Sequence, residues 1–146
     1  MDKIQITEKQ AYDKLVACGL RPSMQRIEIM KYLLSHPSHP TVDDVYTGLE
    51  PEMPTLSKTT VYNTLRLFAE KNAAQMITID EHRVCYDGDT HTHVHFFCTE
   101  CGKICDMEVE KVPEMTTNEI NGCLVNNVQI YFKGVCKDCR QKNVKK

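Results

Sequence analysis

Two cysteine pairs place the strongest constraint on how this chain can fold. Cys98–Cys101 and Cys136–Cys139 are both C-x-x-C pairs, and 34 residues separate them. Two thiolates at this spacing can turn toward one ion, and two such pairs complete a tetrahedral four-sulfur site for Zn²⁺. Gly102 follows the first pair and suits a tight turn. We therefore predict a structural zinc that joins both ends of the second half of the chain, held by Cys98, Cys101, Cys136 and Cys139.

A redox dithiol is the alternative interpretation of either pair. Such a motif opens a helix in a βαβ unit, and the sequence indicates no helix after either pair; residues 142–146 read as a frayed, solvated tail. No apolar segment resembles a signal peptide or spans a membrane, which predicts a cytoplasmic protein with reduced thiols. Thiol redox sensing would have to use the four remaining cysteines, whose roles the sequence leaves open: Cys18, Cys85, Cys105 and Cys123.

The first half of the chain reads as four helices followed by a hairpin. Gly19 ends the first helix, and Ser23, Thr41 and Ser57 are placed as N-caps of the next three. Each helix has an apolar stripe, which in the first two includes Val16 and Met24. Strands at 76–79 and 83–86 would form the hairpin. The pattern favours a winged helix-turn-helix domain over residues 1–86.

The second half differs from the first in its predicted secondary structure, which is mainly strands. A polar hinge is expected over residues 87–92, followed by a small domain over residues 93–146. This domain is predicted to contain strands at 93–98 and 104–109, a helix at 112–121 and a strand at 123–132. So small a unit needs a metal or a partner chain for stability. The fold class is therefore α+β, an N-terminal winged helix-turn-helix domain plus a small C-terminal α/β dimerisation domain.

Histidines and carboxylates indicate a second metal site. His91, His93 and His95 alternate, so along a strand they point to one face. Asp87 and Asp89 precede them, and imidazole with carboxylate suits Fe²⁺, Mn²⁺ or Zn²⁺ without selecting among these metals.

Five segments in order resemble the ferric uptake regulator (Fur) family. They cover nearly the whole chain and are the stretches at 38–41, 57–65, 93–95, 98–103 and 134–139. The resemblance implies a homodimeric, metal-dependent repressor that binds a double-stranded DNA operator and is not an enzyme. It also implies a regulatory Fe²⁺ or Mn²⁺ site on His39, Asp87, His93, His95 and Asp106, with His91 and Asp89 as spare residues.

Three features are more similar to the peroxide-responsive (PerR-like) branch of the family. Aspartate stands at positions 87 and 106, where iron sensors commonly have glutamate. Asn63 follows Tyr62 where iron sensors often have arginine, and no histidine lies near residues 126–127. Cys85 departs from the pattern, because on one strand face with Asp87 it could offer sulfur to the metal; an extra residue near Tyr131–Gly134 is a second departure.

The expected mechanism joins the two halves through the metal. An ion bound by both would fix the spacing of two recognition helices, and peroxide would oxidise His39 or His93 and release the DNA. Tyr62 and Asn63 are expected to contact bases, with Ser57, Thr59 and Thr60 near phosphate and Lys58 and Arg66 supplying positive charge. A formal net charge of −2 means that this positive charge has to be local.

Two other functions remain open at this point. One is an iron-availability repressor of the same family, in which metal affinity alone does the sensing. The other is a small metalloenzyme that uses the histidine–aspartate site with an open coordination position. The His-x-Glu and Pro-Cys-x-x-Cys signature of zinc deaminases is absent, because Val94 stands between His93 and His95 and Val135 precedes Cys136.

Overall fold

The computed structural model describes residues 5–78, 80, 83–90, 94–107, 118–125 and 128–144. The chain divides into two compact units, Met1–Thr90 and His91–Lys146. In the described ranges no helix has both the length and the apolarity to cross a membrane.

Four helices build the first unit, and local capping sets where each begins. They are α1 (Glu8–Ala17), α2 (Met24–Ser35), α3 (Val42–Leu49) and α4 (Lys58–Glu70). Ser23, Thr41 and Ser57 cap α2, α3 and α4 as predicted, each accepting a hydrogen bond from the backbone three residues on. Thr7 forms a capping box with Gln10 at α1, which the sequence analysis missed.

The helices enclose one apolar core. Its buried side chains include Leu15 of α1, Leu33 of α2, Val45 of α3 and Phe68 of α4. Two apolar residues assigned to the buried stripes are instead exposed, Val16 by 50% and Met24 by 74%. Val16 is rotated about 100° from Leu15 around the helix, and Met24 occupies the first turn, so both lie outside the buried stripe.

A short antiparallel hairpin completes the first unit as its wing. Strand β1 (Gln75–Ile77) pairs with β2 (Cys85–Asp87), with Gln75 opposite Asp87. The strand β2 extends to Asp87, one residue into the segment interpreted as the hinge. Helices α3 and α4 with this hairpin form the predicted winged helix-turn-helix.

The second unit contains a three-stranded mixed sheet. Its strands are β3 (Val94–Cys98), β4 (Ile104–Met107) and β7 (Ile130–Gly134), in the order β4-β3-β7. The strand β3 is antiparallel to β4 and parallel to β7. The sheet confirms the predicted α/β character of this half.

The prediction of a helix at 112–121 is wrong for residues 118–121, the part of that range that the structure describes. Glu119–Ile120 form β5, which pairs with β6 (Cys123–Leu124) in an antiparallel hairpin. The two-residue loop is Asn121-Gly122, with φ of 50° and 81°. Positive φ at both positions is what a type I′ turn requires, and Asn-Gly is its preferred sequence. The remainder of the predicted helix lies outside the described residues.

Two further boundaries differ from prediction. The single strand expected at 123–132 is divided into β6 and β7. The chain from Lys137 to Val144 forms α5, which includes the described residues of the predicted frayed tail, 142–144. Helix α5 has no apolar stripe, so hydrophobic periodicity gave no signal for it.

Candidate functional site

The four paired cysteines converge at one end of the sheet in the second unit. Cys98 ends β3, and the chain turns back through Gly102 at φ 75°. Cys136 follows β7, and Cys139 lies in the first turn of α5. The four sulfur atoms lie within 4.8 Å of one another, so the cysteines that meet are the four whose spacing predicted a common site.

Sulfur–sulfur distances fit a tetrahedral metal site. The Sγ atoms of Cys98 and Cys139 are 3.8 Å apart, as are those of Cys101 and Cys136. Tetrahedral zinc with Zn–S bonds of about 2.3 Å separates its sulfurs by about 3.8 Å, whereas a disulfide requires about 2.05 Å. The donor set therefore fits Zn²⁺, and all eight cysteines of the chain are free thiols.

Ionisation of these thiols is strongly linked to their neighbours. Hydrogen bonds from the backbone N–H groups of Cys101 and Cys136 lower the pKa of Cys98 to about 6. The sulfur of Cys136, together with burial, raises the pKa of Cys139 to about 12. Four thiolates so close together repel one another, and a bound dication removes that conflict.

The prediction that no helix follows either cysteine pair is wrong. Cys136–Cys139 does open a helix, α5, directly after a strand. The mutual approach of both pairs is what favours the metal, because a two-cysteine redox motif does not need the other pair within 4.8 Å.

A histidine–carboxylate pair lies within the first unit. His39 Nε2 is 3.4 Å from Asp87 Oδ2, and both side chains are buried. Backbone contacts fix both residues: Tyr86 N–H donates to Pro40 O at 2.9 Å, and Asp89 N–H donates to Asp87 Oδ1 at 2.9 Å. His39 has φ of 61°, a left-handed conformation that non-glycine residues adopt mainly where surrounding structure enforces it.

A matching pair lies within the second unit. His95 of β3 is opposite Asp106 of β4, and His95 Nε2 is 3.3 Å from Asp106 Oδ1. On its other side His95 is opposite Tyr131 of β7, with ring centroids 6.0 Å apart. His95 is only 1% exposed. The strand register therefore places the donors of this pair side by side.

The separations within both pairs suit metal ligation. A charge-assisted hydrogen bond between imidazole and carboxylate is about 2.7–2.9 Å long. Neighbouring ligands bound at about 2.0–2.2 Å to one octahedral or tetrahedral ion are roughly 2.8–3.6 Å apart, which includes both observed values. Of the predicted regulatory ligands, His93 lies outside the described residues, as does the spare His91. Asp89 is exposed, and its backbone supports Asp87.

Cys85 is buried beside Asp87 on β2. Burial raises the pKa of its thiol above the ordinary value, which favours the protonated form. Among the described residues, no metal-ligand cluster includes Cys85. The other cysteines without a role lie apart: Cys18 at the end of α1, Cys105 in β4 and Cys123 in β6.

The predicted DNA-contacting residues lie along the first turns of α4. Ser57 accepts a hydrogen bond from Thr60 N–H at 3.0 Å, and Thr60 is half-buried, while the other six are exposed. Tyr62 is 45% exposed and therefore does not serve as a core residue. Arg66 lies 5.7 Å from the centre of the Tyr62 ring. The exposed set is Ser57, Lys58, Thr59, Tyr62, Asn63 and Arg66.

Lys58 already has a partner in this surface. Its Nζ lies 2.8 Å from Asp43 Oδ1 of α3 and 5.8 Å from the centre of the Tyr46 ring. The Asp43 carboxylate raises the pKa of Lys58 through this contact. The Lys58 ammonium, which is expected to contact phosphate, therefore already forms an ion pair with a carboxylate in the free protein.

Lys14 is a residue near the first-unit pair that the sequence analysis missed. It donates a hydrogen bond to the carbonyl of Gly88, directly after Asp87. The sequence could have indicated it, because Lys14 lies three residues after Ala11 and next to Leu15, and both of these are buried residues of α1. Helical spacing thus placed a charge at the edge of the buried face.

Comparison with known proteins is consistent across nearly the whole chain. The Ferric uptake regulator family matches residues 17–133. The peroxide-responsive repressor PerR of Staphylococcus epidermidis is 32% identical over 144 residues, which cover 97% of this chain and 96% of the relative. PerR of Staphylococcus aureus is 31% identical, with 97% of each chain covered.

Solved structures give the same picture of the fold. PerR from Streptococcus pyogenes, solved to explain peroxide sensing and gene regulation, is 27% identical with a TM-score of 0.50 over 95% of this chain and 97% of its own. The manganese-containing ferric uptake regulator from Pseudomonas aeruginosa has a TM-score of 0.69 at 21% identity, covering 87% of this chain and 98% of its own. At that identity the likeness shows the fold alone.

Proposed function

The chain belongs to the ferric uptake regulator family, and we propose that it is a homodimeric, metal-dependent transcriptional repressor that binds a double-stranded DNA operator and senses peroxide. The observation that carries the proposal is the presence of two histidine–aspartate pairs at metal-ligand separation, His39–Asp87 and His95–Asp106. The PerR relatives support the peroxide branch.

The regulatory ion is assigned to both pairs together with His93. Each pair alone supplies two ligands, fewer than the four to six that Fe²⁺ or Mn²⁺ takes from imidazole, carboxylate and water. An ion that needs both pairs would favour one arrangement of the two units, and so one spacing of the recognition helices in a dimer. Structural Zn²⁺ on the four cysteines would stabilise the second unit.

DNA recognition is assigned to α4. Tyr62 and Asn63 are exposed one turn into the helix, where side chains of a recognition helix reach base edges. Ser57, Thr59 and Thr60 surround the helix N-terminus, which attracts phosphate. Lys58 and Arg66 add the local positive charge that a chain with net charge −2 requires.

Peroxide sensing is assigned to the histidine ligands. Fe²⁺ held by these ligands would activate peroxide, so that one peroxide oxygen passes to a ring carbon of a ligand imidazole and the other leaves as water, whereas Mn²⁺ reacts poorly with peroxide. His39 and His93 are the imidazoles that we expect to gain an oxygen atom. Loss of one imidazole removes a ligand, lowers the affinity for the ion and releases the DNA.

The test compares iron-loaded with manganese-loaded protein after a low dose of peroxide. Tryptic peptides are analysed for oxygen gain, and fragment spectra assign the oxygen to a residue. The peptide from Tyr32 to Lys58 contains both His36 and His39. His36 stacks on Tyr32 with ring centroids 3.8 Å apart and is not a proposed ligand, so it is an internal control.

We expect oxygen on His39 or His93 only in the iron-loaded protein, together with release of DNA. DNA release with both histidines unmodified would refute the sensing mechanism. DNA occupancy that follows free Fe²⁺ and ignores peroxide would instead support an iron-availability repressor.

A further inference from the structure

Lys14 is a charged residue in a poorly solvated position. It lies in α1 between Ala11 and Leu15, which are both fully buried, and is itself half-buried. Burial lowers the pKa of Lys14, while Cys18, Asp89 and Asp87 act in the opposite direction. Its positive charge therefore interacts with the carboxylates at the end of β2 through a medium that screens less than water.

Hydrogen bonds fix this charge beside a proposed metal ligand. The Lys14 ammonium donates to the carbonyl of Gly88, and Asp89 N–H donates to Asp87 Oδ1 at 2.9 Å. Gly88 is buried, and a Cβ there would lie 3.2–3.3 Å from atoms of Leu33 and Leu34. The segment that carries Asp87 is thus packed against α2 and tied to α1, and the ammonium cannot move away without breaking its hydrogen bond.

We propose that Lys14 is a fixed positive charge that lowers the affinity of the regulatory site for its divalent cation. The inference rests on the proposed function, because it takes Asp87 as a ligand of that cation. A cation near the site repels an incoming dication and so raises the free energy of its binding. Lys14 would in this way raise the metal concentration at which the repressor becomes competent to bind DNA.

The experiment measures Mn²⁺ affinity by competition with a chromophoric chelator, using full-length, zinc-loaded protein. Lys14→Met removes the charge and keeps the length of the aliphatic chain, while Lys14→Arg keeps the charge. Lys31→Met is the matched control, because Lys31 is also a half-buried lysine of the first unit, paired with Glu28 at 3.6 Å. Thermal unfolding of each zinc-loaded variant in the absence of Mn²⁺ verifies that it is folded.

We expect Lys14→Met to bind Mn²⁺ about tenfold more tightly, and Lys14→Arg and Lys31→Met to remain near the native affinity. Equal or weaker binding by Lys14→Met would overturn the inference, since loss of a merely structural contact would weaken the site. Tight binding by Lys14→Arg would also overturn it. If His39→Ala binds Mn²⁺ as well as the native protein does, the regulatory site itself is refuted, and that outcome is distinct from the others.

Discussion

Removal of the four-sulfur metal is expected to unfold the second unit while the first unit stays folded. Apart from the cysteines, the buried apolar side chains described in the second unit are Val94 and Ile104. Full burial of two such side chains contributes about 3–6 kcal/mol. A structural zinc contributes about 10–16 kcal/mol in small domains. The metal therefore outweighs the described core of this unit.

The assay is hydrogen exchange read by peptide, on zinc-loaded protein and on protein stripped by a chelator under reducing conditions. Peptides from β3, β7 and α5 should lose protection on stripping, and peptides from α2 and α4 should keep theirs. Cys101→Ser should behave like the stripped protein, and Cys123→Ser should not, because Cys123 is exposed in β6 and outside the cluster. Unchanged protection of β7 and α5 after zinc removal would refute the reasoning.

Three further substitutions test individual assignments. Asp43→Asn should tighten DNA binding by up to about fivefold, measured by fluorescence anisotropy, because it frees Lys58 from an exposed ion pair; the same gain in a Lys58→Met background would contradict this explanation. Cys85→Ala should keep the Mn²⁺ affinity within about twofold, and a loss of tenfold or more would make the sulfur a ligand. Asp106→Glu should keep metal-dependent DNA binding but require more peroxide for DNA release, and loss of both would mean that residue 106 does more than tune sensitivity.

Sequence predicted those features that local chemistry determines. Ser23, Thr41 and Ser57 cap helices because a short polar side chain satisfies the first free N–H groups, whatever the rest of the fold does. The meeting of the four paired cysteines was likewise predictable, because the C-x-x-C spacing is one that lets two sulfurs turn toward a common point.

Features that depend on distant contacts were not predictable. Helix α5 is short and polar, and the sequence offered no stripe by which to recognise it. Lys14 and Gly88 are 74 residues apart, so nothing in the local pattern linked α1 to Asp87. The β5–β6 hairpin is different, because Asn121-Gly122 is a recognisable turn sequence. The apolar spacing before it favoured a helix, and that pattern conflicted with the turn signal.

The way in which each donor pair is held bears on what an ion would do under the proposed function. Asp87 is fixed by Asp89 N–H within the first unit, and Asp106 is fixed opposite His95 by the β3–β4 register within the second. These contacts hold each carboxylate within its own unit, so little binding energy would be spent on arranging ligands inside a unit. That energy remains available for selecting one arrangement of the two units, and this selection is what a repressor switched by its metal requires.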